Sequence, residues 1–118
     1  MKKIIFYSYL KCSTCRKAEK WLKSKDFEFR LIDIVKEPPL LGYLNLALEQ
    51  YSEDKKRIFN TRGKAFKLLD IDIYGLSSEE IIRLLLSDGK LIKRPFLIYE
   101  GERVILGFNE IQYAKQFI

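Results

Sequence analysis

The feature that most constrains this chain is Ile4-Ile5-Phe6-Tyr7-Ser8-Tyr9-Leu10-Lys11-Cys12-Ser13-Thr14-Cys15-Arg16-Lys17-Ala18, an apolar run that breaks into a loop and restarts with helical spacing. It places the only two cysteines of the sequence at a strand-to-helix turn. With two residues between them, the first helical turn brings both sulfurs onto one face, so a reversible disulfide is sterically available. At the helix N-terminus Cys12 faces unpaired backbone N–H groups and the positive end of the helix dipole, which favour thiolate over thiol. Lys11, Arg16 and Lys17 add positive charge nearby. A free cysteine titrates near about 8.5, and such a setting lowers it to between about 3.5 and 7.5. Cys12 is therefore the expected attacking sulfur. Cys15, one turn into the helix and less exposed, is the expected resolving one.

C-x-x-C is also half of a zinc site, but a closed site wants four ligands, and this sequence has no histidine and no third cysteine. No metal is expected. A length of 118 residues suits one domain, and a hydrophobic fraction of 47% excludes a disordered chain. No apolar run is long enough to span a bilayer, and Met1-Lys2-Lys3-Ile4 leads straight into a strand without a cleavage site. A cytoplasmic address is expected, with no membrane association. In that reducing setting a C-x-x-C pair is catalytic or sensing rather than structural.

The net charge of +6 is unevenly placed: Lys55, Lys56, Arg57, Arg62, Lys64 and Lys67 fall in one stretch that contains no acidic residue. Two readings of that stretch stand, a solvated face or a docking surface for an acidic protein partner or an anion. Direct nucleic-acid binding is not expected, because no nucleic-acid motif accompanies the charge.

Taken in order, Lys2 to Tyr7 reads as a buried strand, and Ser13 to about Lys25 as a helix with Cys15, Ala18, Trp21 and Leu22 inward. Phe27 to Ile34 reads as a second strand with Phe27, Phe29 and Leu31 on one face, completing a βαβ unit. Glu37-Pro38-Pro39 stops that strand and can open a helix. The middle then turns helical. Leu40, Leu41, Leu44, Leu48 and Tyr51 recur at helical spacing, Thr61 is placed to cap a short helix carrying Ala65, Phe66, Leu68 and Leu69, and Ser77 with Glu80 forms a capping box before Ile81 to Leu86. Pro95 to Tyr99 and Glu102 to Leu106, separated by Glu100-Gly101, predict an antiparallel hairpin. Asn109 caps a last helix with Ile111, Ala114, Phe117 and Ile118 inward. The order predicts an α/β fold, a thioredoxin-like (glutaredoxin-like) mixed sheet flanked by helices. Residues 1–118 form one domain, with 1–36 and 90–118 as the thioredoxin-like core and 37–89 as a helical insertion. In such a sheet Arg94-Pro95 lies beside the redox turn. A cis bond there would present backbone groups to a substrate, and Arg94 either stabilises an anion near Cys12 or is solvated. The insertion is expected to lie away from the redox turn, so that oxidation alters only residues 9–17 and 93–96.

Lys11-Cys12-Ser13-Thr14-Cys15-Arg16-Lys17-Ala18, Asn60-Thr61-Arg62-Gly63-Lys64-Ala65-Phe66, Lys93-Arg94-Pro95-Phe96 and Gly107-Phe108-Asn109-Glu110 together resemble the successive landmarks of the ArsC/Spx family. The resemblance implies a redox protein and two branches of function. Arsenate reductases of the family use one cysteine, matching Cys12, and three oxyanion-holding arginines. Only Arg94 matches that set; Asn60 and Gly107 stand at the other two positions, which predicts weak arsenate reduction. Spx-like regulators carry C-x-x-C as a redox switch and bind the C-terminal domain of the RNA polymerase α subunit. Cys12, Cys15 and the motifs around Arg62 and Arg94 resemble that branch, while Asp54 stands where those regulators use a glycine. The first expectation is thus a monomeric thiol–disulfide oxidoreductase with Cys12, Cys15 and Arg94 catalytic, and Lys11, Arg16, Arg94 and Pro95 at the substrate. Thioredoxin, glutaredoxin or a small thiol would be the external reductant, with no bound cofactor. The alternative is a redox-gated regulator docking RNA polymerase through Arg57, Arg62 and Lys64.

Overall fold

The opening apolar run forms β1 (Ile4–Ser8), buried along its whole length, in a computed structural model that describes residues 3–117. A turn closed by the Cys12 N–H on the Tyr9 carbonyl at 3.0 Å leads directly into α1 (Ser13–Ser24). This helix buries Cys15, Ala18, Trp21 and Leu22, the stripe that its three- and four-residue spacing predicts. β2 (Arg30–Asp33) returns parallel to β1, with Leu31 opposite Phe6. It is shorter than expected, and Leu31 is exposed. β2 is the sheet edge, where Phe27 and Phe29 reach the helical layer but Leu31 falls outside it.

The sheet order is β2-β1-β3-β4. β3 (Phe96–Tyr99) runs antiparallel to β1, and β4 (Arg103–Leu106) antiparallel to β3. Glu100 and Gly101 both take positive φ, 57° and 67°, the conformation a tight primed hairpin turn requires. β1, β3 and β4 each feed both faces of the sheet, as period two demands. In β1, Ile5 and Tyr7 join a cluster with Phe96, Ile98, Leu44, Ile58, Phe59 and Ile81, whereas Ile4 and Phe6 join one with Ala18, Trp21, Leu22, Tyr113 and Phe117.

Between β2 and β3 the chain is helical. α2 (Leu41–Gln50) follows the two prolines and buries Leu44, Ala47 and Leu48, leaving Leu40 and Leu41 exposed at its start. A 3-10 turn (Lys55–Ile58), α3 (Lys64–Leu69), a second 3-10 turn (Ile73–Gly75), α4 (Ser78–Ser87) and a third 3-10 turn (Gly89–Leu91) complete the stretch. The expected capping box is present on α4: the Glu80 N–H donates to Ser77 Oγ and the Ser77 N–H to Glu80 Oε1. α3 differs from expectation. Gly63, not Thr61, is its N-cap, and none of its residues is buried, because under two turns of helix present too little face to cover. Gly89 lies against the end of β2, where a Cβ would fall 2.0 Å from the Ile34 carbonyl oxygen, so only glycine fits.

α5 (Glu110–Phe117) is capped by Asn109, whose Oδ1 accepts from the Gln112 N–H at 3.1 Å. Tyr113 and Phe117 face inward. Ile111, expected inward, is 68% exposed, because Tyr113 sets the buried face by packing edge-to-face on Trp21, Phe108 and Phe117. The expected strand residue Lys2 and the expected inward Ile118 lie outside the described residues. The architecture is the mixed α/β sheet flanked by helices that the sequence predicts.

Candidate active site

The end of β1 and the start of α1 put the two sulfurs in different surroundings. Cys12 is the N-cap of α1, extended at φ −95° and ψ 116°, and half-buried. Cys15 is fully buried on the inward face of the same turn. Both are free thiols. Burial opposes ionisation of Cys12, but the Cys15 backbone, the Cys15 thiol and the Arg94 guanidinium outweigh it and hold the thiol below its ordinary range. Burial pushes Cys15 up to about 11, and the neighbouring Cys12 adds to that rise against the opposing pull of the Tyr9 backbone and the Ser8 hydroxyl. One sulfur is thus poised to ionise and the other to remain protonated.

Three further segments converge on Cys12. The Arg94-Pro95 bond is cis. The Pro95 carbonyl accepts the Gly107 N–H at 2.9 Å, and the Gly107 carbonyl accepts the Tyr113 hydroxyl at 3.0 Å, which ties the loop before β3 to the end of β4 and to α5. The Arg94 guanidinium lies over the Tyr9 ring at 4.8 Å. A cleft of about 370 Å³ opens between these segments, and its walls include Cys12, Asn60, Arg62, Lys93, Arg94 and Gly107.

Asn60 and Arg62 come from the stretch expected to lie away from the redox turn, and that expectation fails. The Lys93 N–H donates to the Ile58 carbonyl at 2.7 Å and the Asn60 N–H to the Leu91 carbonyl at 2.8 Å, with Phe59 paired to Ile92. This short ladder joins the basic stretch to the loop that carries Arg94. The other named residues sit apart from the cleft. Lys11 and Arg16 are exposed outside it, with Arg16 Nη1 donating to the Leu10 carbonyl at 2.8 Å. Pro95 is buried and contributes its carbonyl to Gly107. Arg57 lines an adjoining cleft, and Lys64 is exposed at the first turn of α3. Tyr9 beneath Arg94 and Ser8 beside Cys15 were not singled out from the sequence. The nearness of Ser8 and Tyr9 to Cys12 along the chain was the available signal. Among the described residues no three His, Cys, Asp or Glu side chains gather as a metal-binding set.

Comparison with known proteins places this site in a family. The model of the ArsC family matches residues 7–116. The chain is 41% identical to the uncharacterised protein YusI of Bacillus subtilis, over 97% of this chain and 98% of that one. It is 33% identical to the global transcriptional regulator Spx of Lactiplantibacillus plantarum, over 95% of this chain and 84% of that one. The crystal structure of a possible arsenate reductase from Streptococcus mutans UA159 superposes with a TM-score of 0.88 at 38% identity, covering 97% of this chain and 98% of the other. The chain belongs to the ArsC family, and its fold is the thioredoxin-like α/β arrangement of that family.

Proposed function

We propose that the protein is a thiol–disulfide oxidoreductase that uses Cys12 and Cys15 as its redox pair. The observation that carries this reading is the placement of Cys12 at the N-cap of α1, open to a cleft walled by Arg62, Lys93 and Arg94, with Cys15 buried one turn behind it. The Cys12 thiolate attacks one sulfur of a substrate disulfide. A Cys12–substrate bond forms, the substrate S–S bond breaks, and the leaving thiolate takes a proton from water. Cys15 then loses its proton and attacks the Cys12 sulfur, closing the Cys12–Cys15 disulfide and releasing the second substrate thiol. Burial still holds the Cys15 thiol up, but Cys12 within the mixed disulfide no longer repels the Cys15 thiolate, which eases this ionisation. An external thiol, either a thioredoxin-like or glutaredoxin-like protein or a small thiol, then reduces the pair in the reverse sense. The chemistry calls for no metal or organic cofactor and suits a reducing, cytoplasmic setting.

Arsenate is a weak substrate in this reading. Gly107 has φ +71°, and a Cβ there would lie 3.2 Å from Lys93 Cε, so the backbone disfavours an arginine at this position. Asn60 supplies an amide where a guanidinium fork would grip the oxyanion.

A second reading, a redox-gated regulator that docks the RNA polymerase α C-terminal domain, draws support from the similarity to Spx and from the ladder that joins Arg62 to the Cys12 cleft. Against it, Asp54 is held by the Tyr74 hydroxyl at 3.1 Å on the basic side of the molecule, where it adds a negative charge. The test is capture with Cys15→Ser, which leaves Cys12 unable to resolve. Mixed disulfides on Cys12, released by dithiothreitol, are expected. Capture of nothing through sulfur, together with saturable binding of the α C-terminal domain that changes on oxidation, would overturn the first reading in favour of the second.

A further inference from the structure

We propose that the Cys12 cleft continues into a second, cationic subsite, and that the groove they form together selects small disulfides bearing carboxylates away from their sulfur. This inference rests on the oxidoreductase reading and names its substrate class. An adjoining cleft of about 380 Å³ shares Lys93 and Leu106 with the wall of the Cys12 cleft. Its other lining residues include Lys56, Arg57, Thr61 and Tyr74. Three cations therefore face this volume, and the single acid on its wall, Asp54, is engaged by the Tyr74 hydroxyl at 3.1 Å.

The cations are held in place without being neutralised. Lys56 Nζ lies 5.8 Å from the Tyr74 ring centre and 6.0 Å from that of Phe66, and the Arg57 guanidinium lies 4.9 Å from that of Tyr51. Aromatic faces attract a cation while leaving its outward N–H groups available to a ligand. Among the described residues the one ion pair within 4.0 Å joins Lys23 to Glu19, so none of these three is paired with a carboxylate. The position of Lys93 is fixed from its backbone, through the N–H on the Ile58 carbonyl. A ligand with its disulfide at Cys12 meets Lys93 at the junction and Lys56 with Arg57 beyond it. A flexible chain ending in carboxylates satisfies both ends, whereas a small oxyanion fills only the first cleft and a neutral disulfide gains nothing from the second. The redox step is the exchange described above, in which one substrate disulfide becomes two thiols as Cys12 and Cys15 become a disulfide, and an external thiol restores the pair.

The experiment compares oxidation of the reduced protein by glutathione disulfide, the acidic probe, and by 2-hydroxyethyl disulfide, the neutral one, followed by loss of the Cys12 thiolate absorbance. The unaltered protein is expected to prefer the acidic probe, with a preference that shrinks as salt is raised. The double variant Lys56→Ala, Arg57→Ala is expected to lower the acidic-to-neutral rate ratio by roughly tenfold, while Lys56→Arg, which keeps the charge, retains it. A ratio unchanged in the double variant, or insensitive to salt, overturns the subsite and leaves the oxidoreductase standing. Failure of both probes to oxidise the unaltered protein overturns both. Slow reaction with small probes but salt-sensitive capture of an acidic protein through Cys12 would reassign the same cations to a protein partner and likewise overturn the small-disulfide proposal.

Discussion

The two faces of the sheet are built from different materials, and the turn that carries Cys12 and Cys15 sits across the seam between them. On the α1 and α5 side, Trp21, Phe27, Tyr113 and Phe117 form a continuous aromatic cluster, with ring centres 5.3 to 6.1 Å apart in the contacts of Trp21 and Phe27. On the side of the helical stretch, the packing next to the cysteine turn gives way to a cleft lined by Arg62, Lys93 and Arg94. Cys15 belongs to the first environment and Cys12 to the second. Their separation in acidity begins with that division, and the C-x-x-C spacing widens it by setting each thiol against the other. Burial raises the thiol on the packed side, while the helix start and a guanidinium lower the one on the open side.

The largest effect should come from damaging the packed side alone. Trp21 is buried against Phe27, Tyr113 and Phe117. Trp21→Ala is expected to cost about 3–5 kcal/mol of unfolding free energy, by the loss of buried aromatic surface and the cavity left behind. Urea titration of the reduced protein measures it. If the division holds, the fraction that remains folded keeps the alkylation midpoint of Cys12. A midpoint that moves with Trp21 would show that the two environments are mechanically one.

The next effect compares the two sulfurs directly. With Cys15 at about 11 and Cys12 below the ordinary thiol value of about 8.5, Cys15 is ionised at least ~100-fold less at neutral pH. Iodoacetamide should therefore modify Cys12 at least about a hundredfold faster, read by peptide mapping. Equal labelling would remove the distinction between attacking and resolving sulfur. The same asymmetry shapes stability against pH. The folded value of Cys12 is depressed, so its contribution is complete above the unfolded value of about 8.5 and is lost as pH falls through the folded one. The folded value of Cys15 is raised, so its contribution is present below about 8.5 and is lost as pH rises towards about 11. Tyr7 and Tyr113, both raised by burial, steepen the loss on the alkaline side.

Much of this was legible in the residues. The order of elements along the chain, the α4 capping box, the Asn109 cap and the Cys12 and Cys15 placements follow from period, caps and turn residues, all of which act within a few positions of one another. What the sequence did not show is contact between segments far apart in the chain. The pairing of Ile58 to Asn60 with Leu91 to Lys93 depends on how α2, α3 and α4 fold back, and no local pattern encodes that return. The basic stretch therefore read as a separate surface, although its Asn60 and Arg62 border the cysteine cleft. Ile111 and Tyr113 illustrate the same limit on a smaller scale. Both fit helical spacing, and only the aromatic partners of Tyr113 decide which of them turns inward.

The smallest effect concerns the open side. Arg94 stabilises the Cys12 thiolate by hydrogen bonding and by charge, and Tyr9 steadies it with a ring 4.8 Å from the guanidinium. Arg94→Ala removes both contributions but leaves the helix N-terminus and the Cys15 backbone in place, so the Cys12 midpoint should rise without reaching that of Cys15. At neutral pH, alkylation should slow by roughly two- to fivefold, the scale of one partly exposed charge interaction. Tyr9→Leu should act in the same direction through a loosened Arg94, and Tyr9→Phe, which keeps the ring, should restore the unaltered rate. The sign on stability follows from the linkage: Arg94→Ala narrows the gap between folded and unfolded values of Cys12, so it weakens the gain in stability on the acid side of about pH 8.5 and leaves the alkaline loss set by Cys15 unchanged. A variant that shifted both limbs together would mean that Arg94 acts on the packing of the whole turn, and the boundary between the aromatic and cationic sides would then have to be drawn elsewhere.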